Sequence, residues 1–303
     1  MAISRSQLVK ELEPGLNALF GLEYKRYENQ HAEIYTEESS DRAFEEEVML
    51  SGFANAQVKG EGQGVSFDNA QETFTARYTH ETIALAFAIT EEAIEDNLYD
   101  RLASRYTKAL ARSMSNAKQV KAVEPLIQGL PSTDGFDSGD GVSLFNTSHP
   151  TVSGTFQNTL TTQADLNETS LEQSLIDIGQ MTDERGLRVA ARGLKMIIPS
   201  ELQFTAERLM KSQGRTGTAD NDINAIVSMG MVPQGYRVNN YLTDTDAFYI
   251  ITDVPNGMKM FTRAPLTTAM EGDFDTGNVR YKARERYSFG VSDPRGIFGV
   301  EGA

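Results

Sequence analysis

The sequence predicts an α+β protein of extended shape, and three patterns lead to that prediction. Residues 90–124 contain neither Gly nor Pro and predict a single helix, which would run about 50 Å at 1.5 Å per residue. Apolar and polar residues alternate through residues 73–89, as in strands with one exposed face. Residues 170–212 place a short apolar strand between two helical segments. The long helix favours an extended plate, and an ordinary α+β enzyme crossed by a long helix is the alternative.

The long helix is predicted to begin at Thr90 and to end before Pro125. The Thr90 hydroxyl can cap its first turn. Acidic residues near the N-terminal end stabilise the helix through its dipole, namely Glu91, Glu92 and Glu95. An eleven-residue spacing of apolar positions predicts one buried stripe on a nearly straight rod. The stripe consists of Leu98, Leu102, Tyr106, Ala109, Ala117 and Val120, with Ser113 in the polar gap.

The first 35 residues predict a charged, partly amphipathic arm. Apolar side chains fall near helical spacing, but Pro14 and Gly15 interrupt the pattern. We therefore predict two short helices rather than one. An acidic run follows from Glu37 to Glu47, which is either a solvated surface or a contact with a basic patch on a neighbouring copy.

A long polar hairpin is predicted upstream of residue 73. Gly60, Gly62 and Gly64 alternate with Glu61 and Gln63 in its middle. Its strands hold too few large apolar residues to form a core of their own. We therefore expect a projecting arm that needs a partner.

The second half of the chain predicts further short elements. Helices are expected at Ser170–Glu184 and after Ser200, which is predicted to form a capping box with Gln203. Strands are expected at Leu194–Ile198, Tyr236–Leu242, Phe248–Thr252 and Met258–Thr262. The tail predicts one long strand from Val279 to Phe298 that ends in a turn at residues 293–296.

Composition limits the classes of function. The 303 residues carry a net charge of −15, which excludes tight DNA binding through an excess of Lys and Arg but permits a position beside charge-neutralised DNA. The sequence has no Cys, hence no disulfide, thiol nucleophile or Cys-type metal site. We expect neither a signal peptide nor a membrane span, because no suitable apolar run occurs.

The sequence shows no catalytic, cofactor-binding or metal site. Its histidines are few and scattered, at positions 31, 80 and 149. The pair Ser148 and His149 lacks a nucleophile-elbow motif, so a structural turn before Pro150 is favoured over a hydrolase. The glycines of the hairpin are not followed by a helix, as a dinucleotide site requires. Two Asp-rich loops, at residues 134–140 and 220–224, lack the Gly and distal Glu of a calcium loop.

Four local patterns, in chain order, resemble one known family. They are an alternating strand that leads into the long helix, the segment Leu144–Pro150 with Asn158, the helix–strand–helix of residues 170–212, and the closing segment Arg284–Gly302 with its turn at 293–296. Together they resemble the major capsid protein of tailed double-stranded-DNA phages, which has the Hong Kong ninety-seven-type capsid fold. The resemblance covers most of residues 48–303.

This resemblance implies a division of the chain into an N-terminal arm, an extended loop, a peripheral domain and an axial domain. The implied bounds are 1–44 for the arm, 45–80 for the loop, 81–164 with the spine helix 90–124 for the peripheral domain, 165–263 for the axial domain and 264–303 for the return to the peripheral domain. Gly60, Gly62 and Gly64 would then lie at the tip of the extended loop, and the 213–222 loop would face the capsomer axis.

The implied function is a structural, non-enzymatic subunit of an icosahedral phage head, located in the virion and assembled in the host bacterial cytoplasm. Hexamers and pentamers of the chain would enclose double-stranded DNA without sequence-specific binding, without a cofactor and without a membrane. A separate scaffolding protein, a portal and a decoration protein are the other expected partners. The expected inter-subunit contacts are Glu45, Glu46, Glu47, Phe53, Phe67, Phe74, Arg280, Lys282, Arg284 and Arg286. The acids and the bases of this set would attract each other across the contact. Alternatively, the four bases pair with acids of their own subunit. Two alternatives stay open, an encapsulin-like nanocompartment shell and an α+β metabolic enzyme.

Overall fold

The computed structural model of the protein describes residues 5–90, 92, 99–133, 135–214, 222–273 and 277–303, and the side chains of 5–13 and 99–102 lie outside that description. Its helices are α1 (Arg5–Tyr24), α2 (Tyr99–Gln128), α3 (Glu168–Gln180), α4 (Gln203–Lys211) and α5 (Ala225–Ser228). Its strands are β1 (Thr36–Ser39), β2 (Phe44–Leu50), β3 (Glu72–Thr79), β4 (Glu81–Ile89), β5 (His149–Thr151), β6 (Gly154–Phe156), β7 (Gly193–Ile198), β8 (Tyr236–Val238), β9 (Phe248–Thr252), β10 (Met258–Gly272), β11 (Val279–Val291) and β12 (Ile297–Val300). The predicted α+β class is confirmed.

The strands form two four-stranded sheets and two hairpins. The first sheet has the order β1-β10-β11-β4, and the second has the order β12-β9-β7-β8. The strands β2 and β3 pair as a separate antiparallel hairpin, as do β5 and β6. Between the two sheets lies a shared apolar core that includes Leu126, Phe145, Tyr249 and Ile297. This core joins the sheets into one body.

The alternation of β11 gives the first sheet two different faces. Its inward residues Tyr281 and Ala283 are buried against α1 and α2, in a cluster with Leu16, Phe20 and Met114. The residues between them point to the opposite face, because successive side chains of a strand alternate. The helices therefore cover one face of this sheet.

The arm forms one helix, so the predicted division at Pro14 and Gly15 is wrong. α1 runs without a break from Arg5 to Tyr24. Proline inside a helix removes one backbone hydrogen bond and costs roughly 3 kcal/mol. Burial of Leu16 and Phe20 against α2 and the first sheet offsets this cost, because each fully buried large apolar side chain stabilises by about 1.5–3 kcal/mol.

The predicted apolar stripe of the long helix is not its buried face. Tyr106 and Val120 are about half exposed, and Ala109 and Ser113 are exposed too. The buried positions are instead Ala103, Thr107, Leu110, Ala111, Met114 and Ala122. This face mixes small residues with Leu110 and Met114, which belong to the cluster with Tyr281 and Ala283. Thr90, the predicted start, directly follows β4 and is not helical, whereas Glu91, Glu95 and Leu98 lie outside the described residues, as does the Leu102 side chain.

The long helix also continues through Pro125 to Gln128, so its predicted end is wrong. Pro125 cannot donate a hydrogen bond to the carbonyl of Lys121. The Tyr35 hydroxyl donates to the Ala122 carbonyl at 2.6 Å and supports the same turn. Burial in the core shared by the sheets offsets the lost bond, and the side chains concerned are Ala122, Val123, Leu126 and Leu130.

The prediction that the tail forms one long strand is wrong, because the chain changes sheets after Val291. A 3-10 turn at Pro294–Gly296 separates β11 in the first sheet from β12, which pairs with β9 in the second. The end of the chain therefore lies in the second sheet. Strand β10 continues past Thr262, its predicted end, to Gly272.

Two helix starts differ from the prediction. α3 begins before Ser170, its predicted first residue: Asn167 caps it, and Ser170 closes the capping box from the third helical position. The predicted capping box of Ser200 is wrong, because the Ser200 hydroxyl donates to the Glu201 carboxylate at 3.0 Å. A 3-10 turn, Ser200–Leu202, leads into α4 there. The strands β7 and β9 follow their predictions closely, because their apolar runs are buried on both faces.

The packing of α1 predicts unequal effects of two substitutions in the same helix. Phe20 is 2% exposed, whereas Leu22 is 73% exposed. We expect Phe20→Ala to lower the free energy of unfolding by about 3–5 kcal/mol. We expect Leu22→Ala to change it by less than about 0.5 kcal/mol. Urea unfolding of the unassembled full-length chain measures both, and equal effects would contradict the described packing.

Candidate assembly surfaces

The hairpin of β2 and β3 carries a long projecting loop. The strands pair from Phe44 with Thr79 to Leu50 with Glu72. Residues 51–71 beyond the last pair form no strand and are almost all exposed. A tight turn closes the far end, where the Gln63 N–H donates to the Gly60 carbonyl at 3.2 Å and Gly62 has a φ of 76°. The structure places Gly60, Gly62 and Gly64 at this exposed turn.

The loop turns its apolar side chains towards solvent. Four of them have large exposed fractions: Phe53 at 61%, Val58 at 99%, Val65 at 69% and Phe67 at 96%. Its polar groups make the contacts with the rest of the chain, since Arg185 lies 3.7 Å from the Asp68 carboxylate and also donates to the Asn69 carbonyl. Phe74 is half-buried near the base of the hairpin. Exposed large apolar side chains of this kind are typical of interaction surfaces.

The base of the hairpin, in contrast, is packed tightly on the outer face of the first sheet. Tyr78 is buried, and its ring lies 4.8 Å from that of Phe261 in an edge-on contact. The Tyr78 hydroxyl pairs with the Ser292 hydroxyl at 2.5 Å. Gly290 makes room for this ring, because a Cβ there would lie 2.6 Å from Tyr78 Cε1. The loop therefore projects from a fixed base.

The acidic residues of the hairpin have partners in their own chain. Glu46 lies 3.8 Å from Arg77, and Glu47 lies 2.6 Å from Lys259. Glu45 accepts from the Ser40 hydroxyl at 2.6 Å and lies 3.7 Å from Arg42. These partners are not the bases that we expected to attract these acids. Of those bases, Arg280 pairs with Asp273, and Arg286 donates to the Ala43 carbonyl at 3.5 Å.

The outer face of the first sheet is covered over only half its length. Ser288 and Gly290 lie beneath the hairpin base, where His80 bonds to the Ser288 hydroxyl at 2.9 Å. Further along β11, on the same face, Arg280, Lys282 and Arg284 are exposed in a row. Their paired neighbours on that face are exposed: Ala84, Ala86 and Ala88 on β4 and Thr267, Ala269 and Glu271 on β10, with Glu271 opposite Arg280. The three bases of this open half, Arg280, Lys282 and Arg284, are called the basic row.

The histidines do not form a reactive site. His149 is completely buried and lies between Asp140 and Asn158, so it cannot reach a substrate. His31 bonds to the Gln119 side chain, and burial lowers its pKa to about 4. In the part of the chain that the structure describes, no group of three His, Asp or Glu residues could hold a metal ion.

The two Asp-rich loops serve other purposes where they are described. Asp137 accepts from two backbone N–H groups, those of Gly139 and Gly141, and Asp140 pairs with His149. Asp134 and Asp220 lie outside the described residues. Asn224 caps α5 with its side chain. Among the described helices, none is long and apolar enough to cross a membrane.

Comparison with known proteins identifies the family. The profile of a family described as phage capsid protein matches residues 72–300, which is most of the chain. The chain therefore belongs to the phage capsid protein family. No curated protein matches the sequence.

Solved structures share the fold at low sequence identity. The capsid of Myoviridae phage XM1 is 12% identical, with a TM-score of 0.52 over 89% of each chain. The capsid of a native GTA particle is 14% identical, with a TM-score of 0.54 over 90% of this chain and 89% of that one. A virus-like particle from Pyrococcus furiosus is 11% identical, with a TM-score of 0.52 over 94% of this chain and 98% of that one.

The fold and the family define a shell-forming capsid protein. Within that class, the chain is a structural subunit of a phage head, where it assembles with further copies of itself and resides in the capsid of the virion. The family resemblance and the capsid fold predicted from sequence are thus confirmed. The family does not favour an encapsulin-like compartment, and it indicates a structural role rather than an enzyme.

The close approach at Gly290 predicts that an added methyl group loosens the hairpin base. We expect Gly290→Ala to destabilise the chain by about 1–3 kcal/mol, because the buried Tyr78 ring cannot move away freely. Gly272→Ala is the matched control, since a Cβ there meets nothing within 4 Å. Urea unfolding and the rate of proteolysis within residues 51–71 measure the effect. Equal behaviour of the two variants would contradict the packing.

Proposed function

We propose that the chain builds an icosahedral head from hexamers and pentamers, and that its extended loop supplies the main contact between neighbouring subunits. The observation that supports this role is the exposure of Phe53 and Phe67 on a loop whose base is fixed. A neighbour that covers the loop would bury these rings. Burial stabilises by roughly 25 cal/mol per Å² of apolar surface, so a contact of standard size suffices for specificity.

The basic row is the second proposed contact surface. Arg280, Lys282 and Arg284 would face acidic groups of a neighbouring subunit, which orients the two chains as they meet. Exposed ion pairs are individually weak, each worth about 0.2–1 kcal/mol. Weak contacts repeated over many subunits allow misplaced subunits to leave before the shell closes.

We also propose the division of labour within the subunit. The arm (1–44) and the first sheet with α1 and α2 correspond to the peripheral part, and the second sheet with α3, α4 and α5 corresponds to the axial part. The extended loop is 45–80. Strand β12 is assigned here to the axial sheet because it pairs with β9. The 213–222 loop, expected at the capsomer axis, lies mostly outside the described residues.

The proposed contents and partners of the shell rest on the phage capsid family, and the charge of the chain bears on how it meets DNA. At a net charge of −15 the chain would enclose double-stranded DNA without sequence-specific binding, with small cations between the two. A separate scaffolding protein, a portal and a decoration protein remain the proposed partners, and the host bacterial cytoplasm remains the proposed place of assembly. We propose no catalytic role.

Removal of the loop tests the first contact. We expect a chain with residues 55–70 replaced by a short Gly/Ser linker to fold, because the bases of β2 and β3 keep their contacts with the sheet. It should stay monomeric in sedimentation, whereas the unchanged chain forms shells. Electron microscopy of closed particles of normal size from the deletion variant would defeat the proposal.

A charge reversal tests the basic row. Lys282→Glu should raise the protein concentration needed for half-maximal assembly about tenfold, which corresponds to roughly 1.4 kcal/mol per interface. Lys25→Glu changes the net charge equally at an exposed site just after α1 and should have little effect. Light scattering against concentration compares them. If both variants assemble like the unchanged chain, the row is not a contact.

A further inference from the structure

The segments that follow the long helix and close the chain meet in one buried cluster around His149. The His149 side chain is fully buried. Its Nδ1 lies 2.6 Å from Asp140 Oδ2, and its Nε2 lies 2.9 Å from Asn158 Oδ1. Each ring nitrogen therefore faces one oxygen, and the identity of each oxygen decides how many protons the ring carries.

The orientation of the Asn158 amide is fixed by its other partners. Its Nδ2 donates to the carbonyls of Leu144 at 2.7 Å and Pro294 at 3.0 Å. Its Oδ1 also accepts from the Asn146 N–H at 2.9 Å. A flipped amide would set its NH₂ against that N–H and its oxygen against two carbonyls. The atom facing His149 Nε2 is thus an acceptor, so Nε2 carries a proton.

The partner of Nδ1 is also an acceptor. Asp140 Oδ1 accepts from the Ser138 hydroxyl at 2.7 Å and from the Val142 N–H at 3.3 Å, which leaves Oδ2 for His149. Two donors to Oδ1 favour the ionised carboxylate, and the 2.6 Å distance from Oδ2 to His149 Nδ1 is as short as a charge-assisted hydrogen bond. An ionised carboxylate only accepts hydrogen bonds, so Nδ1 carries a proton too.

We propose that His149 is a buried imidazolium, protonated on both ring nitrogens, and that with Asp140 and Asn158 it forms a charged latch. The latch ties the segment after the long helix to the turn between β11 and β12. Loss of either ring proton would set a nitrogen lone pair against an oxygen and break one of its two bonds. The latch is therefore intact only while the ring is charged.

The charges around the ring agree with this assignment. The Phe156 ring stacks on His149 with centroids 4.7 Å apart, and Arg295 Cζ lies 4.1 Å from the same ring. Arg295 pairs with Glu184 at 2.7 Å and with Asp293 at 3.2 Å. Two acidic groups thus pair with this guanidinium, and a third, Asp140, pairs with His149 in the same cluster. A second cation reduces this excess of negative charge in a site that water does not reach.

The position of the latch gives it a structural consequence. Asn158 contacts both the turn after β11 and strand β12, where the chain passes from the first sheet to the second. Its side chain donates to the Pro294 carbonyl, and its own carbonyl accepts from the Gly299 N–H at 3.0 Å. A broken latch would loosen the join between the two sheets while leaving each sheet intact. The proposal is independent of how the subunits contact one another.

Nitrogen-15 NMR of ¹⁵N-histidine-labelled, full-length protein tests the proposal directly. Solid-state spectra of assembled particles near neutral pH, about pH 7, report the proton on each ring nitrogen. Only three histidines contribute signals. The variants His31→Gln and His80→Gln each remove the signals of one residue, so the signals present in both variants belong to His149. We expect both nitrogens of His149 to be protonated. One unprotonated nitrogen in the unchanged protein would overturn the proposal without any variant of the latch.

Two matched variants separate the charge from a merely structural role. Asp140→Asn removes the negative partner, so we expect the ring to lose one proton and to show a neutral tautomer. Asp137→Asn is the control, because Asp137 lies in the same loop and accepts only from backbone N–H groups. It should leave both ring protons in place. A ring that keeps the same protonation in both variants would mean that Asp140 does not hold the charge.

Discussion

The alternation of β11 is the constraint on which the rest of the subunit depends. Every second residue of this central strand packs against α1 and α2, and the others face the opposite way. On that outer face, the hairpin base occupies the half around Gly290, and the basic row remains open on the other half. A shift of one residue would bury three bases and expose Tyr281, so the register is strongly fixed.

The molecule combines a rigid body with surfaces that its own chain leaves uncovered. The core between the two sheets is dense, and its members come from α2, both sheets and the Leu144–Phe145 segment. The loop 51–71 has no such packing, and its large apolar side chains are exposed. This contrast suits a protein that is stable as a unit and completes its packing only against neighbours.

A polar centre joins the two sheets where the apolar core ends. Arg295 is buried and donates to the Thr182 carbonyl as well as to Glu184. Polar groups at this depth are tolerated because nearly all of them have partners. The directions of these bonds fix the turn between β11 and β12 more strictly than apolar contacts would, since apolar contacts are not directional.

The sequence by itself determined the local elements, the order of the family patterns and the exposed character of the loop. Strand β9 has its predicted bounds, because a short apolar run between turn residues leaves little choice. Only the tertiary structure decided which face of α2 is buried, whether helices continue through Pro14 and Pro125, which sheet receives β12 and which bases meet Glu45, Glu46 and Glu47. Those outcomes depend on contacts between residues far apart in the chain, where burial of several side chains outweighs a local preference of a few kcal/mol.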